Sequence, residues 1–522
     1  MNVIIYIIFL LCYALYWFSV VRYDVQMFQQ NSYREERYFR WLKQHINLPH
    51  IIFTVASAVL GILFAEQIWL WAVVYALMTT FAIRRLRTVY KKPIVYTNRV
   101  KRLFLTASII TMVALAVTYF TNPQLILSVG LAFLALPLVM LVANLLNKPL
   151  EATITRWYYN DAKRILRSMP DLKIIGVTGS FGKTSTKHYL YRILSEKYNV
   201  LMTPGNFNTT LGVVRTIREH LKPHHQVFIV EMGAKQVGDI KEICDLVHPS
   251  IGIVTAVGEM HLETFHSVEN IRRTKFELID SLPESGYGVV NVDSEQIASK
   301  PIDHKSHLLT YGVKNHAADY RAVNIDYSAS ETSFDVDIRG DVREGYATHL
   351  AGRGNILNLL AVIAVADVMG ISTAHQKRAM RQIEQIEHRL SIKRTAGGTT
   401  IIDDAYNSNP QGAKMALEVL ATFNRPASGR RIVVTPGFVE LGERQAELNR
   451  ELGRDIAKSA DLAIVVNQTN REAINSGLKD AEFDQDKIIL ADSFAEASAY
   501  LATTLRAGDV ILYENDLPDS FK

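Results

Sequence analysis

Side chains suited to binding phosphate are concentrated in one short stretch, VTGSFGKTSTKHY at residues 177–189. The backbone N–H groups of a glycine-rich turn point at phosphate oxygens, and the helix that follows adds the positive end of its dipole. In such a loop Lys183 would reach the β- and γ-phosphates of a nucleotide, and Thr184 would ligate Mg²⁺. The strict pattern requires glycine at the position of Val177, so we predict a compressed phosphate loop that contains Gly179. The residues predicted to bind ATP in this loop are Gly179, Ser180, Gly182, Lys183, Thr184 and Ser185.

The elements that must position this loop are short apolar strands alternating with helical patterns, which is typical of a parallel sheet covered by helices. The first series of predicted strands runs 173–180, 200–204, 226–233, 250–258, 287–293 and 307–313. A β-hairpin is expected around 318–350, followed by helices at about 355–370 and 372–386. A second series starts near 393, with strands at 400–405, 431–437, 462–467, 487–492 and 509–515. We therefore predict a central ATPase domain with a parallel sheet at 151–390 and a Rossmann-like C-terminal domain at 391–522.

The first 150 residues have a different character, because they carry nearly all of the long apolar runs. Five runs, at about 3–21, 49–65, 67–83, 103–120 and 124–146, approach the ~20 apolar residues that cross a bilayer. The second and third are short and would form a hairpin that turns at Glu66 and Gln67. The alternative is that these runs are buried core helices. We predict an α-helical membrane domain at 1–150.

Basic residues in the connections set the predicted orientation of these spans. The segment 84–102 holds eight Lys or Arg residues and no acid, and the segment 22–48 is also rich in basic residues. The connections near 66 and at 121–123 carry none. The positive-inside rule then places both basic segments and everything after 147 in the cytoplasm, with the N-terminus outside. The chain is predicted to be a multi-pass membrane protein with cytoplasmic catalytic domains.

Composition excludes several classes of protein. Two cysteines in 522 residues, Cys12 and Cys244, exclude a disulfide framework and a cysteine metal site, which fits a reducing compartment. The formal net charge is only +5, and no nucleic-acid partner is predicted. The sequence does not set the oligomeric state.

Several separated motifs together resemble the Mur ligase family over about 171–515. They are TGSFGKTSTK at 178–187, TPGNFNTTLG at 203–212, VEMGAKQVGDI at 230–240, HLETFHSVENIRRTKFEL at 261–278, GRGNILN at 352–358, HR at 388–389 and DDAYNSNP at 403–410. The family uses ATP to form amide bonds in peptidoglycan precursors, through an acyl phosphate. The resemblance implies a bacterial ATP-dependent ligase that adds an amino acid or dipeptide to the carboxylate of a cell-wall precursor.

The resemblance also implies roles for individual residues. Thr184 and Glu231 would hold one Mg²⁺, and His261 would contact a second. Lys275 would be carbamylated and become a carboxylate ligand to that second ion. Lys183, Lys275 and His261 form the implied catalytic set.

The remaining implied contacts concern the nucleotide and the two substrates. Asn355 would meet the adenine, and Arg389 and Asp404 would engage the nucleotide as the C-terminal domain closes. The implied substrate contacts are Asn206, Asn208, Thr209, Asn407 and Asn409. Departures from the family pattern at Gly354, at Asn449 and in ILYENDLPDS at 511–520, which lacks a Lys-Gly-Ser, bear on the identity of both substrates.

Two further interpretations remain open. Apolar spans stand where soluble members carry a domain for a UDP-sugar, which favours a lipid-linked acceptor whose pyrophosphate binds the basic segments 22–48 and 84–102. Those charges could equally serve only to fix topology and attract anionic lipid. The alternatives to a single-addition ligase are a polymer ligase of poly-γ-glutamate type and a non-ligating nucleotide switch or scaffold for cell-wall enzymes.

Overall fold

The structure, a computed structural model, describes residues 2–31, 33–44, 68–88, 93–121, 138–299, 304–327, 331–406, 408–423 and 429–517, with a few isolated positions between them. The described residues form two compact units, one ending at Arg156 and the other comprising Trp157–Leu517. The predicted span 49–65 and the first part of 124–146 lie largely outside the described residues. So do the turn at Glu66 and Gln67 and the predicted substrate residue Asn407.

The first unit is helical in every element that the structure describes. Its helices are α1 (Asn2–Gln30), α2 (Glu35–Gln44), α3 (Ile68–Arg87), α4 (Asn98–Thr121) and α5 (Leu138–Arg167). Helix α1 packs against α3 and α4, and aromatic side chains such as Tyr16 and Phe28 are fully buried between them. Helix α5 is continuous through residue 150, where we expected the membrane domain to end.

One helix in the described part of the chain, α4, is long and apolar enough to cross a membrane. It has a mean hydropathy of 2.1 over its most apolar window, and only 22% of that window is buried within the protein. Large apolar side chains on it face outward, and Met112 and Phe120 are 68% and 83% exposed.

The second unit contains two sheets, and the first of them carries the phosphate loop. Its strands are β1 (Lys173–Thr178), β2 (Val200–Met202), β3 (Val227–Glu231), β4 (Ile251–Val254), β5 (Tyr287–Asn291), β6 (His307–Gly312), β7 (Tyr320–Tyr327), β8 (Thr332–Ile338) and β9 (Asp341–Thr348). They are ordered β2-β3-β1-β4-β5-β6-β7-β8-β9, and the pairs from β2 to β7 are parallel. The parallel strands are apolar on both faces because helices cover both sides.

Helices on both faces complete this central region. They are α6 (Lys183–Leu194), α7 (Thr210–His220), α8 (Asp239–Val247), α9 (Leu262–Phe265), α10 (Val268–Asp280), α11 (Glu295–Ala298), α12 (Arg353–Val368) and α13 (Thr373–Arg381). Eleven of the sixteen residues of α12 are buried, since this helix lies against both the sheet and α6. Instead of the single hairpin expected at 318–350, three strands extend the same sheet, with antiparallel pairing from β7 to β9.

The second sheet belongs to the C-terminal region. Its strands are β10 (Ser391–Arg394), β11 (Thr400–Asp404), β12 (Arg431–Thr435), β13 (Leu462–Val466), β14 (Ile488–Ala491) and β15 (Val510–Glu514). The order is β10-β11-β15-β12-β13-β14, parallel except for the pair β10–β11. The helices are α14 (Pro410–Thr422), α15 (Gln445–Ser459), α16 (Arg471–Asp480) and α17 (Phe494–Thr504). The five strands that the sequence predicts all form, and β10 is an additional edge strand.

Candidate active site

The predicted phosphate loop connects the carboxyl end of β1 to the first turn of α6. Gly182 stands before the helix in a left-handed conformation, with φ of 81°. The loop is fastened to the strand end of β4, because the Ser180 amide donates to the Ala256 carbonyl at 2.8 Å. The Ser180 hydroxyl also donates to the Gly258 carbonyl at 3.1 Å. The loop is therefore held by the neighbouring strand in front of the helix N-terminus, where an anion is stabilised.

Glycine is required at position 179 because the loop backbone lies very close to Thr255 and Ala256, which follow β4. Its φ is 148°, and a β-carbon there would lie 2.0 Å from the Thr255 Oγ1 atom and 3.0 Å from the Ala256 amide nitrogen. Thr255 is itself fixed, since its hydroxyl donates to the Thr178 carbonyl at 3.2 Å. Only a residue without a side chain fits between this loop and β4.

Lys183 lies over the loop, with its ammonium donating to the Gly179 carbonyl at 2.7 Å and to the Ser180 carbonyl at 3.1 Å. Burial lowers the pKa of Lys183 to about 8, although the charge of Glu231 acts in the opposite direction. Thr184 and the buried Ser185 follow it in the first turn of α6. The loop thus presents one ammonium and two hydroxyl side chains at the start of a helix.

Glu231, at the end of β3, is buried, with 1% of its surface exposed. The Lys187 Nζ atom lies 2.9 Å from the Glu231 Oε2 atom, and the Asn208 side-chain amide donates to Oε1 at 3.1 Å. Burial alone would raise the pKa of Glu231, but the charges of Lys187 and Lys183 outweigh it and lower that pKa. The carboxylate is therefore ionised, with its two oxygens facing Lys187 and Asn208.

This arrangement fits a magnesium ion next to the loop. The Glu231 Oε2 atom is buried and lies 2.9 Å from the Lys187 ammonium, and the charges of Lys187 and Lys183 keep the carboxylate ionised. A carboxylate oxygen and the Thr184 hydroxyl are the hard oxygen ligands that Mg²⁺ takes, with the rest supplied by water and phosphate. Within the described ranges, no three His, Cys, Asp or Glu side chains are grouped to hold a metal ion.

Lys275 is buried on α10, with only 4% of its surface exposed. Burial lowers the pKa of Lys275 to about 7, and the charge of Lys183 acts in the same direction. Burial also lowers the pKa of His261, with a further lowering from the charge of Lys275. Within the predicted catalytic set, Lys275 therefore lies close enough to both Lys183 and His261 to interact with each electrostatically.

His261 also joins the central region to the C-terminal region. Its Nδ1 atom contacts the carboxylate of Glu440, and the Glu263 amide donates to the Glu440 carbonyl at 3.2 Å. Arg444 contacts the carboxylate of Glu259 a few residues away. Two adjacent side-chain pairs thus connect the 259–263 segment to the segment 440–444.

The predicted nucleotide contacts are placed differently from one another. Arg389 acts electrostatically on both Lys183 and Asp404, so these three lie on the same side of the molecule. Asn355 is buried inside the central region, where it accepts from the Tyr189 hydroxyl at 2.7 Å and donates to the Ala351 carbonyl at 2.8 Å. The predicted contact of Asn355 with adenine stays a prediction.

The predicted substrate residues fall into two groups. Asn206 and Thr209 are exposed on the loop before α7, and the Thr209 hydroxyl caps that helix by accepting from the Gly212 amide at 3.3 Å. Asn208 links the same loop to Glu231. Asn409 is buried and caps α14, accepting from the Gly412 amide at 3.0 Å. Asn407 lies outside the described residues.

Sequence reasoning missed three residues of this site. Lys187 ties Glu231 to the substrate-side loop, because its ammonium also donates to the Gly205 carbonyl at 2.7 Å. Asn358 faces the phosphate loop, since its Oδ1 atom is 2.5 Å from where a Gly182 β-carbon would be. Glu440 contacts His261. Lys187 and Asn358 lie within the motifs TGSFGKTSTK and GRGNILN, so the sequence could have indicated them. Glu440 is 179 residues from His261, and no local pattern links the two.

The parallel sheet, the glycine turn and the lysine at the helix start define a P-loop nucleotide-binding protein. Comparison with known families narrows this class. The pattern of the Mur ligase middle domain matches residues 177–366, and that of the Mur ligase glutamate ligase domain matches residues 388–513.

Individual relatives agree with these matches. The UDP-N-acetylmuramoyl-tripeptide–D-alanyl-D-alanine ligase of Mycobacterium tuberculosis (strain CDC 1551) is 33% identical over 362 residues, covering 65% of this chain and 70% of the relative. The Bacillus subtilis enzyme of the same name is 27% identical over 343 residues, covering 66% and 72%. The crystal structure of MurF ligase from Thermotoga maritima in complex with ADP has a TM-score of 0.61 at 27% identity, covering 69% of this chain and 80% of that chain.

The chain belongs to the Mur ligase family. It is an ATP-dependent, ADP-forming ligase, as predicted, and its α/β fold with a parallel sheet is the fold of that family.

Proposed function

We propose that this ligase joins an amine, either an amino acid or a dipeptide, to the carboxylate of a muramyl peptide at a membrane surface. The observation that carries the proposal is the phosphate loop with Lys183 and Thr184 beside the buried carboxylate of Glu231. The relatives from Mycobacterium tuberculosis and Bacillus subtilis, whose names describe addition to a muramyl tripeptide, support this class of substrate.

The residues of the loop prepare ATP for attack by a carboxylate. The two reactants are both anionic, so their repulsion has to be offset before they approach. The loop amides and the Lys183 ammonium would bind the terminal phosphates. The acceptor carboxylate attacks the γ-phosphorus, ADP leaves, and the amine then attacks the acyl phosphate carbon and expels phosphate. Mg²⁺ held by Thr184 and Glu231 would supply additional positive charge to the phosphates.

Lys275 has the properties needed for carbamylation. Carbon dioxide adds to a neutral amine, forming an N–C bond and releasing one proton, and burial keeps the pKa of Lys275 near 7. The product is a carboxylate in place of a cation, which relieves the repulsion between Lys275 and Lys183. With His261, whose Nδ1 atom is occupied by Glu440, it would form the second metal site.

The remaining predicted site residues are assigned roles from the region of the fold in which each lies. We propose that Asn206, Asn208 and Thr209 contact the acceptor peptide from the substrate-side loop. Arg389 and Asp404 would contact the nucleotide from the C-terminal region, and Asn407 and Asn409 would lie near the amine. These regions correspond to the proposed central domain at 151–390 and C-terminal domain at 391–522.

The first unit is proposed to anchor the enzyme in the membrane. Apolar side chains of α1 and α4, including Leu10, Leu11 and Met112, are each more than 60% exposed. Contiguous apolar surface of this kind is unfavourable in water and favourable against lipid. The N-terminus would be outside and the catalytic unit in the cytoplasm, where ATP is present.

We further propose that the acceptor is lipid-linked. Its pyrophosphate would sit at the cytoplasmic face, where the basic segments 22–48 and 84–102 supply cations. Within the second of these, Arg84, Arg85 and Arg87 form the last turn of α3. A membrane-bound acceptor and a membrane-anchored ligase meet in two dimensions, which raises their effective concentration.

The test is ADP formation by the full chain in nanodiscs. Lipid-linked and UDP-linked muramyl tripeptides are offered as acceptors with D-alanyl-D-alanine or single amino acids, and Lys183→Ala serves as the inactive control. ADP formation with the lipid-linked acceptor, with the matching gain in product mass, is the expected result. Equal activity on the UDP-linked acceptor would overturn the lipid-linked proposal but keep the ligase. A ladder of product lengths would instead indicate a polymer ligase.

A further inference from the structure

Two acidic side chains stand next to each other at the carboxyl edge of the C-terminal sheet. Asp404 ends β11 and Glu514 ends β15, and the two residues are direct partners in this parallel pair. Partners in register project their side chains to the same face of the sheet. The pair is thus a feature of the fold and does not depend on loop geometry.

Glu514 is fully buried and incompletely satisfied. Its Oε1 atom accepts from the Ser408 hydroxyl, whereas its Oε2 atom has no hydrogen-bond partner among the described residues. Asp404 is partly exposed, and its Oδ1 atom accepts from the Leu390 amide at 3.0 Å. A buried carboxylate oxygen without a partner is costly unless a ligand satisfies it.

Positive charge near the pair is scarce. Arg389 acts on Asp404 and stacks over the Tyr406 ring with its guanidinium carbon 4.2 Å from the ring centre. No cation acts on Glu514 in the described part of the chain, and burial together with the charge of Asp404 raises the pKa of Glu514 well above its ordinary value. The neighbouring acid Asp403 is engaged elsewhere, accepting from His388 at 2.8 Å. Two adjacent carboxyl groups with one guanidinium nearby are therefore stabilised either by holding a proton or by a second cation.

The pair also lies on the side of the molecule where the reaction occurs. In open α/β sheets, ligands bind beyond the carboxyl ends of the strands. Arg389 influences both Asp404 and Lys183, which connects the acidic pair to the phosphate loop. Asp404 is the more exposed of the two acids.

We propose that Glu514, together with Asp404, binds a positively charged nitrogen of the amine substrate that does not take part in amide formation. The substrate is then a diamine or a diamino acid. This inference rests on the proposed function, because it identifies the substrate class of the same ligase.

A metal ion is the other cationic occupant to consider. Divalent ions take about six oxygen ligands, and the two carboxylates and one hydroxyl found here are too few. An ammonium group needs only three acceptors, which the Glu514 Oε2 atom, Asp404 and one further oxygen would supply. The buried pair fits an ammonium group better.

The test compares lysine with norleucine, which lacks only the ε-ammonium, as amine donors for ADP formation. Both enantiomers are offered to the full chain with a muramyl-tripeptide acceptor. A hydrogen bond to a charged group contributes ~1.5–3 kcal/mol, so kcat/KM is expected to be ~10- to 100-fold higher for lysine. Glu514→Gln is expected to remove that preference by lowering kcat/KM for lysine alone. Glu472→Gln, which changes an exposed carboxylate on α16, is the matched control.

Equal kcat/KM for lysine and norleucine, or an unchanged preference in Glu514→Gln, would overturn the inference and leave the ligase activity standing. If no amine supports ADP formation, the proposed function itself fails. Calorimetric binding of lysine to the full chain with ADP then decides the inference separately. Lysine binding that Glu514→Gln abolishes supports the site, and absence of lysine binding to the unaltered chain overturns it.

Discussion

Lys187 and Glu231 form a fully buried ion pair, with Nζ and Oε2 2.9 Å apart and side chains that are 0% and 2% exposed. Lys187 is on α6, directly after the phosphate loop, and Glu231 ends the neighbouring strand β3. The same ammonium reaches the Gly205 carbonyl in the substrate-side loop. One lysine therefore connects the nucleotide side, the proposed metal ligand and the proposed acceptor side.

Removal of this lysine should destabilise the catalytic unit. Lys187→Met leaves Glu231 buried without its cation, and breaking a buried pair in this way costs ~3–5 kcal/mol of unfolding free energy. Urea unfolding of the full chain in detergent measures the loss. Lys241→Ala, which removes an exposed ion pair with Asp245, should cost only ~0–1 kcal/mol. A Lys187→Met variant as stable as Lys241→Ala would contradict this prediction.

Gly179→Ala should weaken nucleotide binding. The added methyl group would meet the Thr255 side chain and the Ala256 backbone, so the loop must move away from β4. We expect the Kd for ADP, measured by calorimetry, to rise at least tenfold, since ~1.4 kcal/mol corresponds to a factor of ten. Gly397→Ala is the control, because its nearest contact would be an ordinary 3.8 Å. Unchanged ADP affinity in Gly179→Ala would show that the loop does not contact phosphate.

Activity should depend on carbon dioxide through Lys275. At a pKa of about 7, about one tenth of the amine is neutral at pH 6 and most of it at pH 8. Enzyme depleted of carbon dioxide should therefore regain activity faster at pH 8 than at pH 6, at a constant concentration of dissolved CO₂. Labelled bicarbonate should give a carbamate carbon resonance that Lys275→Gln lacks. Full activity in CO₂-free buffer would argue against carbamylation.

The same residue should affect stability as a function of pH. The pKa of Lys275 is lower in the folded protein than in the unfolded chain, so the unfolded chain binds more protons between pH 7 and about 10.4. The folded state is penalised most below pH 7, and the penalty fades as pH rises. Lys275→Met should therefore be more stable than the unaltered CO₂-free enzyme at pH 6, with the difference shrinking toward pH 10. Parallel urea titrations at the two pH values measure it, and a constant difference would refute the assignment.

Arg444 should help to hold the central and C-terminal regions together. It contacts Glu259 across the two regions, beside the pair His261–Glu440. Arg444→Ala should increase the rate of proteolysis between the two sheets, near residues 384–388, and lower kcat. Arg450→Ala removes an ion pair with Asp480 inside the C-terminal region and should leave both unchanged. Equal proteolysis of the two variants would show that the contact with Glu259 has no such role.

The sequence predicts those parts of the fold that depend on local pattern. The strand, glycine turn and helix around Lys183 follow from residue types within about ten positions. The parallel strands follow from apolar runs that must be buried on both faces. The edge strand β10 was missed because SIKR at 391–394 is short and three of its four residues are polar, and only its pairing with β11 makes it a strand.

The site was less predictable because its contacts join residues that are far apart in sequence. Glu440 meets His261 only after the C-terminal region is placed against the central one. Glu514 becomes unusual only when β15 is paired with β11, which puts it beside Asp404. For Asn355 the motif predicts an adenine contact, whereas its hydrogen bonds to Tyr189 and Ala351 are visible only in the folded structure.

The most direct test of the central claim follows one oxygen atom. An acceptor with an ¹⁸O-labelled carboxylate is incubated with the full chain, ATP and an amine, and the inorganic phosphate is analysed by mass spectrometry. Ligation through an acyl phosphate transfers one carboxylate oxygen to phosphate, so we predict phosphate carrying a single ¹⁸O in proportion to the amide formed. Unlabelled phosphate would mean that water attacks ATP, and it would contradict the ligase account.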